Sequence, residues 1–219
     1  MFFWGTVALI SLFVIAAAVA VTRVNRYNAE AEQIAQRMTA EQRRTRDELL
    51  SQRQKRTQLA VAVLQRDMRI RSLQNNKRHL AIVLEDSVLE LRQGRATLRR
   101  AKISIGPDSI IRAPDGRTWR FVRGVGERKI DKREQNPTVT IPEWVYVSRG
   151  QPVPSESERR LSGGMGSWVI TLDDGTTIYS QPRSGPLKDT VIPAGFMTRG
   201  RDLGAIFDAV KEDTPVYIY

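Results

Sequence analysis

The stretch VIPAGFMTRGRDLGAIFDAVKEDTPVYIY, Val191 to Tyr219, decides how the C-terminal half of the chain is read. Leu203, Ile206, Phe207 and Val210 recur at helical spacing, which predicts a short amphipathic helix over residues 202–211 with Asp202 as its N-cap. The run PVYIY (215–219) is rich in β-branched and aromatic residues and predicts a closing strand. Ahead of the helix, Ile192 to Gly195 reads as a loop of the kind on which an enzyme presents a nucleophile. That loop holds no Cys, Ser or His.

Upstream, the same composition continues back to Gly106 and Pro107. All ten prolines and thirteen of the fifteen glycines fall within residues 103–219. Strand-like runs alternate with turn residues: ISI (103–105), TWRFVR (118–123), EWVYV (143–147), SWVITL (167–172) and TTIYS (176–180). The stretches APDG (113–116) and DDG (173–175) carry turn chemistry, the second at the centre of a hairpin. Residues 106–219 are therefore expected to form a small, mostly β domain with one C-terminal helix.

Residues 28–102 have a different character. They contain no proline and a single glycine, Gly94, and they carry 17 Lys and Arg against 9 Asp and Glu of a chain whose net charge is +11. A heptad with Leu49, Val63, Ile70, Leu84, Leu91 and Leu98 at a, and Leu59, Leu73 and Leu80 at d, predicts a coiled-coil stalk over residues 28–105. Its length would be about 110 Å at helical rise, and it would pair protomers into a homo-oligomer. Arg56, Arg66 and Lys77 interrupt the seam. No aromatic residue interleaves with the arginines, so a single-strand nucleic-acid platform is not favoured.

Phe2 to Val21, FFWGTVALISLFVIAAAVAV, carries no charge and is long enough at about 30 Å to cross a bilayer. Residues 1–27 are read as a membrane anchor with its flank; a signal peptide cut after Ala18–Ala20 is the alternative. Arg23 and Arg26 on the C-terminal flank argue for a cytoplasmic C-terminal part.

The chemistry that composition excludes is extensive. With no cysteine there is no disulfide, no thiolate nucleophile and no Cys-ligated metal. The one histidine, His79, lies in the predicted stalk as a surface residue, so neither a Ser-His-Asp triad nor a His-cluster metal site can assemble. No metal or cofactor is called for. SGGMGSW (162–168) lacks the Lys-Ser/Thr ending of a phosphate loop and runs into a strand, so it reads as a loop.

Three stretches taken together resemble the catalytic domain of bacterial L,D-transpeptidases, β-rich enzymes that cross-link peptidoglycan with a cysteine nucleophile. REQNPTVTIPEWVYV (133–147) is similar to the family's Asn-Pro-Thr element followed by Pro-x-Trp. GSWVITLDDGTTIYSQ (166–181) is similar to the hairpin that ends in a His-Gly pair, and residues 192–219 are similar to the signature loop, helix and last strand. The resemblance covers 118–219. It implies that the family's Ser-His-Gly-Cys falls on Ile192, Pro193, Ala194 and Gly195, the following arginine on Met197, and the upstream histidine on Tyr179. A thiolate assisted by a histidine is the attacking pair in such chemistry, and this chain has neither.

The reading that follows is a non-catalytic, L,D-transpeptidase-like envelope protein that binds peptidoglycan or docks cell-wall enzymes. Trp144, Trp168, Tyr179, Met197 and Arg199 are the candidate groove residues. The anchor implies a single-pass protein of the cytoplasmic (inner) membrane, and the cell-wall reading places its C-terminal part in the periplasm, against the direction in which Arg23 and Arg26 argue. Two alternatives stand beside it: a coiled-coil scaffold with the β domain as a cap, and an active transpeptidase whose nucleophile has moved to Thr198 or Ser180.

Overall fold

A computed structural model describes residues 38–219. The chain divides after Leu59; the second unit runs from Ala60 to Tyr219 and holds the end of the long helix and every strand. Helix α1 spans Ala40–Gln74. Its start is set by a reciprocal cap: Gln42 N–H donates to Thr39 Oγ1 (3.3 Å), and Thr39 N–H donates to Gln42 Oε1 (3.0 Å). Its end is set by Asn75, whose side-chain oxygen accepts from Lys77 N–H at 3.0 Å and so competes with further helical bonding.

The continuous stalk is corrected here. The helix stops at Gln74, and the residues after it form three strands, β1 (Arg78–Val83), β2 (Val88–Gln93) and β3 (Ala96–Ile105). Leu80 and Leu91, assigned to a coiled-coil seam, are barrel core at 0% and 3% exposure, and Leu98 lies on β3. The physical reason is turn chemistry at two points. Ser87 (φ 52°) and Gly94 (φ 59°) take left-handed conformations that reverse the chain. The hairpins they close bury RHLAIV and VLELRQ, a gain that outweighs the helix propensity of Leu, Glu and Arg.

Nine further strands follow: β4 (Ser109–Arg112), β5 (Thr118–Phe121), β6 (Gly126–Gln135), β7 (Thr138–Thr140), β8 (Arg160–Ser162), β9 (Trp168–Leu172), β10 (Thr177–Ser180), β11 (Phe196–Thr198) and β12 (Pro215–Ile218). Eight strands close a barrel in the order β1-β12-β6-β9-β10-β11-β3-β2. Two pairs of neighbours in it run parallel, β1 with β12 and β10 with β11. The first three strands are thus indispensable to closure. β12 would otherwise be an edge, and β11 would lose its partner β3, which it meets with Phe196 opposite Ile105.

Leu80, Ile82, Leu89, Ile130, Ile170, Ile178, Phe196, Val216 and Ile218 fill the barrel core. The C-terminal helix, two residues earlier than its predicted start, covers Gly200–Phe207 and buries Leu203, Ile206 and Phe207 against the same core. EWVYV, predicted as a strand, is a helix instead: α2 (Glu143–Val147), led in by Pro142, whose fixed φ suits a helix start. A four-residue helix, α3 (Glu156–Arg159), follows, and the C-terminal helix is α4. Trp144, Val145, Tyr146, Ile141 and Leu187 make a second, smaller cluster, against which Phe121, Met165 and Ile192 pack.

The single-pass membrane placement is also corrected. Among the described residues no helix is long and apolar enough to cross a membrane. α1 carries arginines along its length, including Arg43, Arg53, Arg56, Arg66 and Arg69, and a charge on every turn or two is incompatible with a hydrocarbon core. The expected anchor, 2–21, lies outside the described residues.

Candidate functional site

The loop Ile192–Gly195 is held from both sides by backbone. Gly195 N–H bonds Ile192 O (2.9 Å), Ala194 N–H bonds Pro107 O (3.1 Å) and Gly106 N–H bonds Gly195 O (2.8 Å). Ala194 sits at φ 57°, a left-handed conformation that an L side chain adopts at a cost. Gly106 is required where it stands, because a Cβ there would lie 1.9 Å from the Ile192 carbonyl oxygen.

Gly195, the position onto which the resemblance places a nucleophile, is tightly enclosed. A Cβ built on it would meet Ile192 O at 3.2 Å, Thr177 O at 3.3 Å and Ile192 Cβ at 3.4 Å. A side chain there would need its neighbours to give by a few tenths of an ångström, and two of the three are backbone oxygens. Tyr179, onto which the resemblance places the upstream histidine, is fully buried and serves as a tether. Its hydroxyl accepts from Ile192 N–H at 2.8 Å and donates to Thr190 O at 3.4 Å. Burial pushes this phenol up to about 12, so it is protonated at neutral pH.

A groove of about 340 Å³ opens beside the loop. Phe121, Trp144, Met165, Thr177, Pro193 and Gly195 are among its walls, and Asp174 lies at its edge. Burial works to raise the Asp174 carboxyl, but hydrogen bonds from Arg128 (2.6 Å) and from Thr176 N–H (2.9 Å) outweigh it and hold the group below the usual carboxylate range. The wall is therefore mostly apolar with a fixed, paired anion beside it.

The five groove candidates are not brought together. Trp144 lines this groove with Pro193, Ala194 and Gly195. Tyr179 lies beneath the loop as its tether, and Met197 is its register partner on β11. Trp168 packs elsewhere, on α4: its ring lies 4.8 Å from Phe207, and a Cβ on Gly204 would come within 2.9 Å of its indole nitrogen. Arg199 lines a separate cleft at the start of α4. Phe121, Met165 and Thr177 were missed by the sequence reading. The Pro142–Trp144 and DDG stretches were the available signals, since both lie on the groove wall.

The two relocated nucleophiles are also engaged. Ser180 is 1% exposed and its Oγ accepts from Trp168 N–H at 3.0 Å; Thr198 is 4% exposed and donates to Lys102 O at 2.7 Å. His79, expected on the surface, is fully buried. Its Nδ1–H donates to Lys77 O (2.9 Å), which leaves Nε2 as acceptor for the Ser72 hydroxyl (2.9 Å). Among the described residues no group of three or more His, Asp or Glu side chains is placed to hold a metal ion.

No protein-family model matches the chain. No curated protein matches it. Among solved structures it is similar to an L,D-transpeptidase from Xylanimonas cellulosilytica, at 13% identity over 66% of this chain and 61% of that one, with a TM-score of 0.45. It is similar to a mutant L,D-transpeptidase from Enterococcus faecium at 16% identity, 66% of this chain, 50% of that one and a TM-score of 0.43. It is also similar to L,D-transpeptidase 1 from Mycobacterium tuberculosis at 16% identity, 64% of this chain, 60% of that one and a TM-score of 0.40. The chain spans 50% to 61% of the length of these three structures.

Proposed function

We propose that the β-barrel unit is a binding module without acyl-transfer chemistry, which holds a cell-wall stem peptide in the groove beside Ile192–Gly195. The observation that carries the non-catalytic half is the enclosure of Gly195. A side chain at Gly195, where the resemblance places the nucleophile, would crowd the Ile192 and Thr177 carbonyls, and Tyr179, where it places the histidine, is buried and bonded to the loop. Residues 192–195 carry no thiol, hydroxyl or imidazole, and the one phenol bonded to them, Tyr179, is buried and engaged, so the loop itself offers no group to attack an acyl carbon.

The binding half rests on the groove, which persists where the chemistry is gone. Its volume of about 340 Å³ falls at the low end for small-ligand sites, enough for one or two residues of a peptide. Its apolar wall suits the aliphatic parts of such a chain. The peptide ligand comes from the sequence resemblance. Docking of a cell-wall enzyme at the same groove is the alternative occupant.

The test uses the purified full chain, sedimented with intact peptidoglycan sacculi, with a stem-tetrapeptide titration read by tryptophan fluorescence. Retention and a saturable change are expected, both lost in Thr177→Arg, which fills the groove from its half-buried wall. Absence of both in the unaltered protein would remove the wall ligand and leave protein docking. Measurable exchange between a tetrapeptide donor and an amine acceptor would overturn the non-catalytic reading.

A further inference from the structure

A second cleft, of about 410 Å³, lies between the middle of β3 and the start of α4 and shares no wall residue with the groove. Four arginines line it: Arg99 and Arg100 from β3, Arg199 just before α4 and Arg201 in its first turn. One of them is neutralised inside the fold, since Arg100 reaches Asp86 at 3.2 Å and Glu90 at 3.4 Å. Among the described residues Arg99, Arg199 and Arg201 form no ion pair, and Asp202, the one carboxylate in the lining, pairs with none of them.

Three arginines without an ion pair line one cleft against a single carboxylate, and nothing in the packing requires them, because all three side chains are exposed. Their convergence is built by the topology. β3 and β11 are antiparallel neighbours with Ile103 opposite Thr198, so as the chain leaves β11 at Arg199 it runs back alongside Arg99 and Arg100. From this geometry we infer that the cleft binds a phosphoryl or pyrophosphoryl group.

The choice of anion follows from oxygen and charge count. A single carboxylate carries one charge and two oxygens, which satisfy one guanidinium fork. Three forks need more acceptors and more charge, as a phosphomonoester dianion or a diphosphate supplies. Leu98, 45% exposed, and the half-buried Ala205 give the cleft an apolar edge. The ligand is accordingly a phosphorylated molecule with an uncharged portion next to its phosphate. The inference stands apart from the peptide groove and survives its failure.

The experiment is isothermal titration of the full chain with inorganic pyrophosphate, repeated for Arg99→Ala, for the pair Arg199→Ala and Arg201→Ala, and for Lys211→Ala as a control outside the cleft. Saturable binding is expected, weakened about tenfold for each arginine removed and progressively by added salt, with the control unchanged. Vesicles containing phosphatidic acid form a second arm. Arginine-dependent retention on them assigns the phosphate to a lipid headgroup; pyrophosphate binding without retention assigns it to a soluble ligand. No binding of pyrophosphate, equal binding by all variants, or equally tight binding of glutarate would each overturn the inference. Because the substituted side chains are exposed, unchanged thermal unfolding of the variants separates loss of binding from loss of fold.

Discussion

His79→Leu is the substitution whose effect can be worked furthest from the structure. The ring is wholly buried between the end of α1 and β1, accepts from Ser72, donates to the Lys77 carbonyl and meets Tyr217 edge-on at 5.4 Å. Leucine keeps most of the volume but strands the buried Ser72 hydroxyl, at about 1–3 kcal/mol, and forfeits the edge contact, at about 1 kcal/mol. A loss of roughly 3 kcal/mol results, which for a chain of this size lowers the thermal midpoint by about 10 °C. Circular dichroism melts of the full chain measure it. The double variant Ser72→Ala/His79→Leu removes both polar partners and is expected to recover a good part of the loss, since a matched apolar pair is nearly neutral. A double variant no more stable than His79→Leu alone would refute the assignment of that loss to a stranded hydroxyl.

The same histidine makes stability depend on pH. Burial lowers its pKa, the Lys77 carbonyl works in the opposite direction, and the nearby Arg92 charge lowers it further. The unfolded chain therefore takes up the proton first as pH falls. The histidine's contribution is complete above the unfolded value near 6.5 and is lost as pH falls toward the folded value. The slope cannot exceed about 1.4 kcal/mol per pH unit for one proton, and it should vanish in His79→Leu.

Two further outcomes test the loop. Gly106→Ala drives a Cβ to within 1.9 Å of the Ile192 carbonyl oxygen, a backbone atom that cannot rotate away. It should destabilise by about 3 kcal/mol or more, seen as a lowered urea midpoint, and should abolish binding at the groove. Ala194→Gly relieves the left-handed alanine at φ 57° and should stabilise by up to about 1 kcal/mol; a lowered midpoint would show that the loop is not strained there.

The helix α4 and the strand after it were legible because their signals are local. The apolar spacing of Leu203, Ile206 and Phe207 and the turn at Asp173–Gly175 each act within a few residues of themselves. The helical look of residues 78–105 was a local signal too, and there it misled. Whether Leu80 and Leu91 face a partner helix or a barrel interior depends on β12, more than a hundred residues away, which pairs with β1 by placing Val216 opposite Leu80. Trp144 and Trp168 illustrate the same division. Both were groove candidates in sequence, yet one lines the groove and the other packs on α4.

The amino-acid sequence alone determined what chemistry is absent: no thiol anywhere, one histidine, and a loop of Ile, Pro, Ala and Gly where a nucleophile would stand. Those are statements about composition, and folding cannot add a functional group. Only the tertiary structure decided how the loop is held and what surrounds it. The enclosure of Gly195, the tether from Tyr179 and the meeting of Arg99 with Arg199 and Arg201 all join residues distant in the chain. Their positions are set by the register in which the barrel closes, because a strand shifted by one residue turns every side chain to its opposite face.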